Sequence, residues 1–299
     1  MKSAKMRWLN ALGEPSDPIS EGRMTLVSRF FHPEFDGELY YQVNGPATAQ
    51  RVMMVFPKEI HSPCPAVVVP FYFPEAMLGI NPYRKDDLSR YVDVDMMYHL
   101  VKRGYITISA DAFHLTYYKS DRNRGDFTRW QEAAEHLLAD HPNWTGMGKL
   151  VSDTKLLIDA LEADERVDAS RIGIAGHSLG GKMAMYTGCL DDRVKAILSS
   201  DPGILWDRTN WRDIWYWGDK VDSLITQGMD HADLLGAGQT PFCLLAGDFD
   251  NEESGQMMLR APGFLPEDAR LKIINHATGH RPPPAVLQEG YDFLDTYLK

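Results

Sequence analysis

The chain is poor in cysteine, short of basic residues relative to acidic ones, and without long apolar runs. Three cysteines, Cys64, Cys189 and Cys243, stand among 299 residues. Their number is odd and no C-x-x-C spacing occurs, which argues against a disulfide framework and for three buried thiols. Lys and Arg number 31 against 42 Asp and Glu, a net charge of −11. That balance disfavours a nucleic-acid backbone or an anionic membrane surface as partner, and leaves a neutral small molecule open. No apolar run approaches the roughly 20 residues needed to cross a bilayer. The opening "MKSAKMRWLNALGEPSD" lacks the apolar stretch of about 7–15 residues that marks a signal peptide. These absences predict a soluble, cytoplasmic protein.

Internal repeats, low-complexity tracts and linkers are also missing, so nothing divides the chain. No His/Cys/Asp cluster has zinc spacing. No G-x-x-x-x-G-K-[ST] phosphate loop occurs; "GGKMA" contains Lys182 but not that frame. The expectation is chemistry without a metal or an organic cofactor.

With 44% hydrophobic residues, the chain can bury a large core. "MTLVSRFF" (Met24–Phe31), "GELYYQV" (Gly37–Val43) and "RVMMVFP" (Arg51–Pro57) read as successive strands punctuated by Pro, Gly and Asp. "PAVVVPFYFP" begins as a strand buried on both faces. From there strand-like and helix-like segments alternate. A helix is expected from about Asp87 to Arg103, with Leu88, Tyr91, Val92, Met96 and Leu100 at helical spacing and Gly104 as its stop. "YITISA", "RIGIAG", "VKAILSS", "PFCLLAG" and "LKIIN" read as strands. Leu150–Leu161, "SLGGKMAMYTGCL" and the stripe Leu287, Tyr291, Leu294, Leu298 read as helices. This alternation predicts an α/β fold: a mainly parallel central sheet, helices on both faces, and antiparallel strands at the N-terminal edge. Residues 1–50 form an extension carrying edge strands. Residues 202–240, strand-free and rich in Trp, read as a lid-like insertion over the C-terminal edge of the sheet, where open α/β folds bind ligands.

Ser178 stands between a strand and a helix with Gly176 and Gly180 at −2 and +2. This is G-x-S-x-G: a tight turn holds the serine in a strained conformation, and a side chain at either flanking position would meet backbone. The bland alternative is a serine that merely caps a helix. A serine nucleophile needs a base, and the base an acid, in the order Ser, acid, His. "LLAGDFDNEES" offers Asp248 and Asp250 after one strand, and "IINHATGHRPPP" offers His276 and His280 after the next.

"GHSLGG", the "GDFD" after a strand and the "GH" before the last helix resemble the α/β-hydrolase superfamily. "HLVKRGYITISADAFH", "DTKLLIDALEADERVDASRIGIAGHSLGGKMA" and "ILSSDPGI" resemble, more narrowly, its dienelactone-hydrolase-like and acetyl-xylan-esterase-like branch, over roughly residues 50 to 299. The resemblance implies a serine hydrolase that cleaves a small carboxylic ester through an acyl-serine, with Ser178 as nucleophile. It selects Asp250, three residues after Gly247, as the acid, and His280, after Gly279, as the base. It implies the backbone N–H of Leu179 as one oxyanion donor. The second would come from the loop after "AVVVP", where the usual His-Gly pair is replaced by "PFYFPEA"; alignment with the strand end selects Tyr72, with Phe71 the alternative. Glucuronoyl esterases and peptidases are the competing hydrolases. Lys182, four residues after the serine, suggests the former, but Leu179 stands where those enzymes usually carry Arg, and an exposed helical lysine is the simpler reading. A silent ligand-binding member is the alternative from another class. In "ILWDRTNWRDIWYWGD" (Ile204–Asp219), Trp211 or Trp215 is expected to line the substrate pocket, with Arg208 and Arg212 anchoring the loop to carboxylates.

Overall fold

The computed structural model describes residues 3–17, 22–45, 48–60, 63–82, 86–87, 94–119, 125–265 and 268–299. Its strands are β1 Met24–Phe31, β2 Phe35–Gly45, β3 Thr48–Pro57, β4 Cys64–Val68, β5 Ile80–Asn81, β6 Asp86–Asp87, β7 Ile106–Ala110, β8 Val167–His177, β9 Val194–Ser200, β10 Phe242–Ala246 and β11 Leu271–Asn275. Its helices are α1 Ala4–Leu12, α2 Pro74–Leu78, α3 Met96–Lys102, α4 Phe113–Thr116, α5 Asp126–Asp140, α6 Gly146–Glu162, α7 Leu179–Leu190, α8 Lys220–Thr226, α9 His231–Gly238, α10 Glu252–Met258 and α11 Pro284–Leu298.

Nine strands form one sheet in the order β1-β2-β3-β7-β4-β8-β9-β10-β11. The pairs β1/β2, β2/β3 and β3/β7 are antiparallel. From β7 through β4, β8, β9 and β10 to β11 every pair is parallel. This is the predicted sheet. Every residue of β4, β7 and β10 is buried, as continuous apolar runs require when helices cover both faces. Side-chain alternation divides the core in two. Ala66 and Val68 pack on one face with Trp130, Met147 and Ala184 from α5, α6 and α7. Val67 packs on the other with Met77, Leu100 and Leu294 from α2, α3 and α11.

The chain leaves β4 towards β7 on one side, and leaves β8 towards β9 on the other. The loops after the neighbouring strands β4 and β8 therefore part in opposite directions. They open a crevice at the carboxyl ends of the strands, the usual ligand position in open α/β sheets. Ser178 follows β8, and Tyr72 follows β4.

Some elements differ from the sequence-based expectation. Of the helix expected from about Asp87 to Arg103, the described residues show the part Met96–Lys102. Asp86–Asp87 pair with Ile80–Asn81, and Asp95, with a left-handed φ of 43°, is the N-cap of the helix that starts at Met96. Leu88, Tyr91 and Val92 lie outside the described residues. Gly104 stops the helix at φ 91°, as expected. The sequence reading contains no α1. Ser3 caps it by accepting the Met6 N–H, and Trp8 anchors it, fully buried, with its indole N–H on Asp233 at 2.9 Å. Residues 202–240 carry α8 and α9 and no strand. Among the described residues no helix is long and apolar enough to cross a membrane, and none of the three cysteines, all buried, is in a disulfide.

Candidate active site

Ser178 has φ 55° and ψ −115°, a conformation non-glycine residues avoid. Two features hold it there. Its N–H donates to Ser200 O at 2.8 Å, and the flanking glycines let backbone close in. A Cβ on Gly176 would lie 2.1 Å from Gly180 O, and one on Gly180 would lie 2.1 Å from Pro70 O. Ser178 occupies the N-cap of α7, yet its side chain makes no capping hydrogen bond. The capping alternative therefore fails. The hydroxyl instead borders a cavity of about 300 Å³, with Tyr72, Phe127, Lys182, Tyr216 and Phe249 among its walls.

The carboxylate that meets His280 differs from the expectation. His280 Nδ1 bonds to Asp201 Oδ2, and Asp250, expected to fill that position, does not. Asp201 immediately follows β9, has a left-handed φ of 44°, and is fully buried. Its other oxygen accepts the N–H groups of Phe249 at 2.9 Å and Asp250 at 3.0 Å. Asp250 is turned the other way: its carboxylate accepts the N–H of Gly203 at 2.8 Å and that of Ile204. Each aspartate thus holds the backbone of the other's loop. Gly247, used in the sequence to count forward to Asp250, serves a different purpose. A Cβ there would come within 2.9 Å of Asp201 Oδ2 and 2.4 Å of Gly279 O, so its bareness makes room for the Asp201–His280 contact. The sequence held a signal for Asp201 in "SSDPG", an aspartate at a strand end before a Pro-Gly turn.

His280 is the histidine the structure brings to this position. Its ring lies 4.6 Å from that of His177, the neighbour of Ser178, and 4.4 Å from that of Phe249 on the cavity wall. His276 bonds to Thr278 Oγ1 at 2.7 Å instead. Burial, with His280 nearby, pushes the His177 imidazole down to about 3. His177 is therefore neutral at ordinary pH. Burial raises the Asp250 carboxyl to about 6, against the pull of its two backbone N–H groups. Asp248 is exposed.

Lys182 is not the exposed helical lysine expected from the sequence. It is 3% exposed. Its ammonium donates to Pro202 O at 2.6 Å and Thr209 Oγ1 at 2.5 Å, and sits 3.7 Å from the centre of the Trp211 ring. Burial lowers its pKa to about 7. A lysine held so far below its ordinary value costs the fold on the order of a few kcal/mol. Lys182→Met, similar in length and apolar, is therefore expected to raise Tm at pH 7 and to lower kcat/KM. A variant with lowered Tm and unchanged kinetics would make the lysine a structural tie only.

The tryptophan expectation is also corrected. Trp211 is fully buried with its indole N–H on Gly203 O at 2.6 Å. Trp215 packs against Trp130 and Phe127. Neither ring forms part of the cavity wall. From the same segment Thr209, Asn210, Asp213 and Tyr216 do. The segment folds back on α1, α7 and His231, so Trp211 and Trp217 point into that aromatic cluster. Arg208 pairs with Glu253 and Arg212 with Asp222, as anticipated, in exposed pairs worth little.

Of the two residues expected to offer N–H groups to an oxyanion, Leu179 opens α7, where helix N–H groups have no intrahelical partners. Tyr72 borders the cavity, and its carbonyl accepts the Ala112 N–H at 3.0 Å. Phe71 is buried. Among the described residues no group of three or more His, Cys, Asp or Glu is arranged to hold a metal ion.

Over 161 residues the chain is 28% identical to "Putative hydrolase YtaP" of Bacillus subtilis (strain 168), a match covering 52% of this chain and 49% of that protein. The chain thus aligns with about half the length of this curated relative. Among solved structures, one from Bacteroides fragilis NCTC 9343 described as a putative acetyl xylan esterase superposes with a TM-score of 0.71. It is 18% identical, with 93% of this chain and 75% of that one covered. A CE15 glucuronoyl esterase from Teredinibacter turnerae T7901 superposes with a TM-score of 0.70 at 17% identity, covering 99% and 86%. At such identities these likenesses establish the fold. The sequence pattern of the dienelactone hydrolase family matches residues 51–205, just over half of the chain, from β3 past Ser178 to the loop that carries Asp201. The chain belongs to the dienelactone hydrolase family.

Proposed function

We propose that the protein is a serine hydrolase that cleaves a neutral carboxylic ester through an acyl-serine intermediate. The observation that carries this reading is Ser178 in a strained elbow at a cavity wall, with the His280 ring packed 4.6 Å from that of the adjacent His177 and its Nδ1 held by a buried aspartate. His280 Nε2 takes the Ser178 proton as the hydroxyl oxygen attacks the ester carbonyl. Asp201, in place of Asp250, fixes the imidazole tautomer and stabilises the imidazolium that forms. The N–H groups of Leu179 and Tyr72 receive the oxyanion, each worth roughly 2.7–4 kcal/mol of barrier by typical magnitudes. Collapse of the tetrahedral intermediate expels the alcohol, which takes its proton from His280. Water then attacks the acyl-serine with His280 again as base.

The walls support a polar alcohol portion. Asn210 and Asp213 offer hydrogen-bonding groups, while Tyr72, Phe127, Tyr216 and Phe249 offer ring faces and edges. That mixture suits an acetylated carbohydrate. Two of the three donors of Lys182 are taken by Pro202 and Thr209, and Leu179 adds no second cation. A substrate with a free carboxylate is therefore disfavoured.

The test is a panel of purified-protein assays: p-nitrophenyl esters of increasing acyl length, acetylated xylo-oligosaccharides and a methyl glucuronate ester. Turnover of acetyl esters, with kcat/KM falling as the acyl chain lengthens, is expected. Failure to hydrolyse any member would overturn the reading.

A further inference from the structure

The loop after β4 runs Pro70-Phe71-Tyr72-Phe73-Pro74-Glu75 and contains no glycine. An oxyanion donor works only if its N–H is fixed before the reaction begins, so something must hold Tyr72 in place. Arg51, on β3, supplies the tie. Its guanidinium forks onto two carboxylates at once. Nη1 and Nη2 donate to the two oxygens of Glu75, the latter at 2.7 Å. Nε and Nη2 donate to the two oxygens of Asp111 at 3.0 and 2.8 Å. Glu75 and Asp111 side chains are 7% and 13% exposed, so these charge-assisted bonds are largely shielded from solvent. Glu75 lies in the first turn of α2, three residues after Tyr72. Asp111 precedes Ala112, whose N–H holds the Tyr72 carbonyl. The links close a ring: Tyr72 to Ala112, Asp111 to Arg51, Arg51 to Glu75, and Glu75 back through Pro74 and Phe73 to Tyr72. Both ends of the Tyr72 segment are bolted to one guanidinium.

We propose that Arg51, through Glu75 and Asp111, is a positioning residue that pre-sets the oxyanion loop for catalysis. The proposal rests on Tyr72 as an oxyanion donor in the serine mechanism above. Arginine is suited to the task because its planar fork serves two carboxylates simultaneously, which a lysine ammonium cannot do.

The experiment compares Glu75→Gln and Arg51→Lys with wild type, each normalised to the fraction of Ser178 that reacts with a fluorophosphonate, so that poorly folded protein is not counted. In both variants kcat for p-nitrophenyl acetate is expected to fall about tenfold, a part of the 10²–10³ that losing a whole donor costs. KM should stay within about twofold, because acyl and alcohol contacts are untouched. Affinity for an alkyl trifluoromethyl ketone, whose Ser178 adduct places an oxyanion in the hole, should fall by the same factor as kcat. A role in folding alone would lower Tm and the labelled fraction while sparing both normalised readouts. Normal kcat per labelled serine in both variants, or undiminished ketone affinity where kcat has fallen, would overturn the proposal. A wild-type protein that neither takes the label nor binds the ketone would overturn the serine mechanism itself, and this inference with it.

Discussion

Asp201→Asn is expected to lower kcat by about 10⁴-fold with little change in KM, as other substitutions that hold the wrong imidazole tautomer do. The amide keeps the size of the carboxylate, so the fold persists. What changes is the group facing His280 Nδ1, which can now be an N–H or a neutral carbonyl instead of an anion. Asp250→Asn should cost far less, roughly tenfold. One of its two backbone bonds, to Gly203 or Ile204, survives through the amide oxygen, and only the setting of the Asp201 loop is loosened. The pair also separates by pH. The folded chain raises the Asp250 carboxyl to about 6, above the ordinary value near 3.9 of an unfolded aspartate. The folded state therefore binds this proton more tightly, and the contribution to stability is present below about pH 4 and lost as pH rises through 6. Urea titrations between pH 4.5 and 7.5 should show wild type gaining stability on acidification relative to Asp250→Asn. Kinetics in which Asp250→Asn is crippled and Asp201→Asn is not would return the acid to Asp250 and refute the assignment.

Ser178→Ala is expected to remove fluorophosphonate labelling and to cut kcat by about 10⁶-fold, the scale on which losing a serine nucleophile acts. The residual rate would come from the oxyanion donors and substrate binding. The backbone gives a second readout. Ser178 sits at φ 55°, a conformation costing a non-glycine residue on the order of 1–3 kcal/mol, and one held because the surrounding elements over-determine it. Ser178→Gly should therefore be as inactive as Ser178→Ala yet melt at a higher temperature, because glycine adopts that φ freely. Wild-type turnover in either variant would exclude the acyl-serine route. A Ser178→Gly variant no more stable than Ser178→Ala would show that the elbow stores no strain.

Much of this protein was determined locally. Short continuous apolar runs bounded by Pro and Gly suit strands covered on both faces, so β4, β7 and β10 are readable. Gly176 flanks Ser178 because the backbone of Gly180 leaves no space for a side chain, a restriction that acts within five residues, whereas Gly180 is kept bare by Pro70 O, far along the chain. Helix α1 was missed because no residue beside it in the sequence explains Trp8. Its partners are Asp233, Tyr186 and Trp217, far along the chain. Lys182 looked exposed because nothing next to it is acidic or aromatic. It is buried because residues 202–217 fold over α7 and bring Pro202, Thr209 and Trp211 to it. The choice of acid was likewise tertiary. Asp201 and Asp250 both follow strand ends and both are buried carboxylates. Which one meets His280 depends on how the loop after β11 crosses the bare Gly247 of β10's end to reach the loop after β9. That is a matter of lateral strand order and of the direction each side chain leaves its own turn, and neither quantity is written in the spacing along the chain.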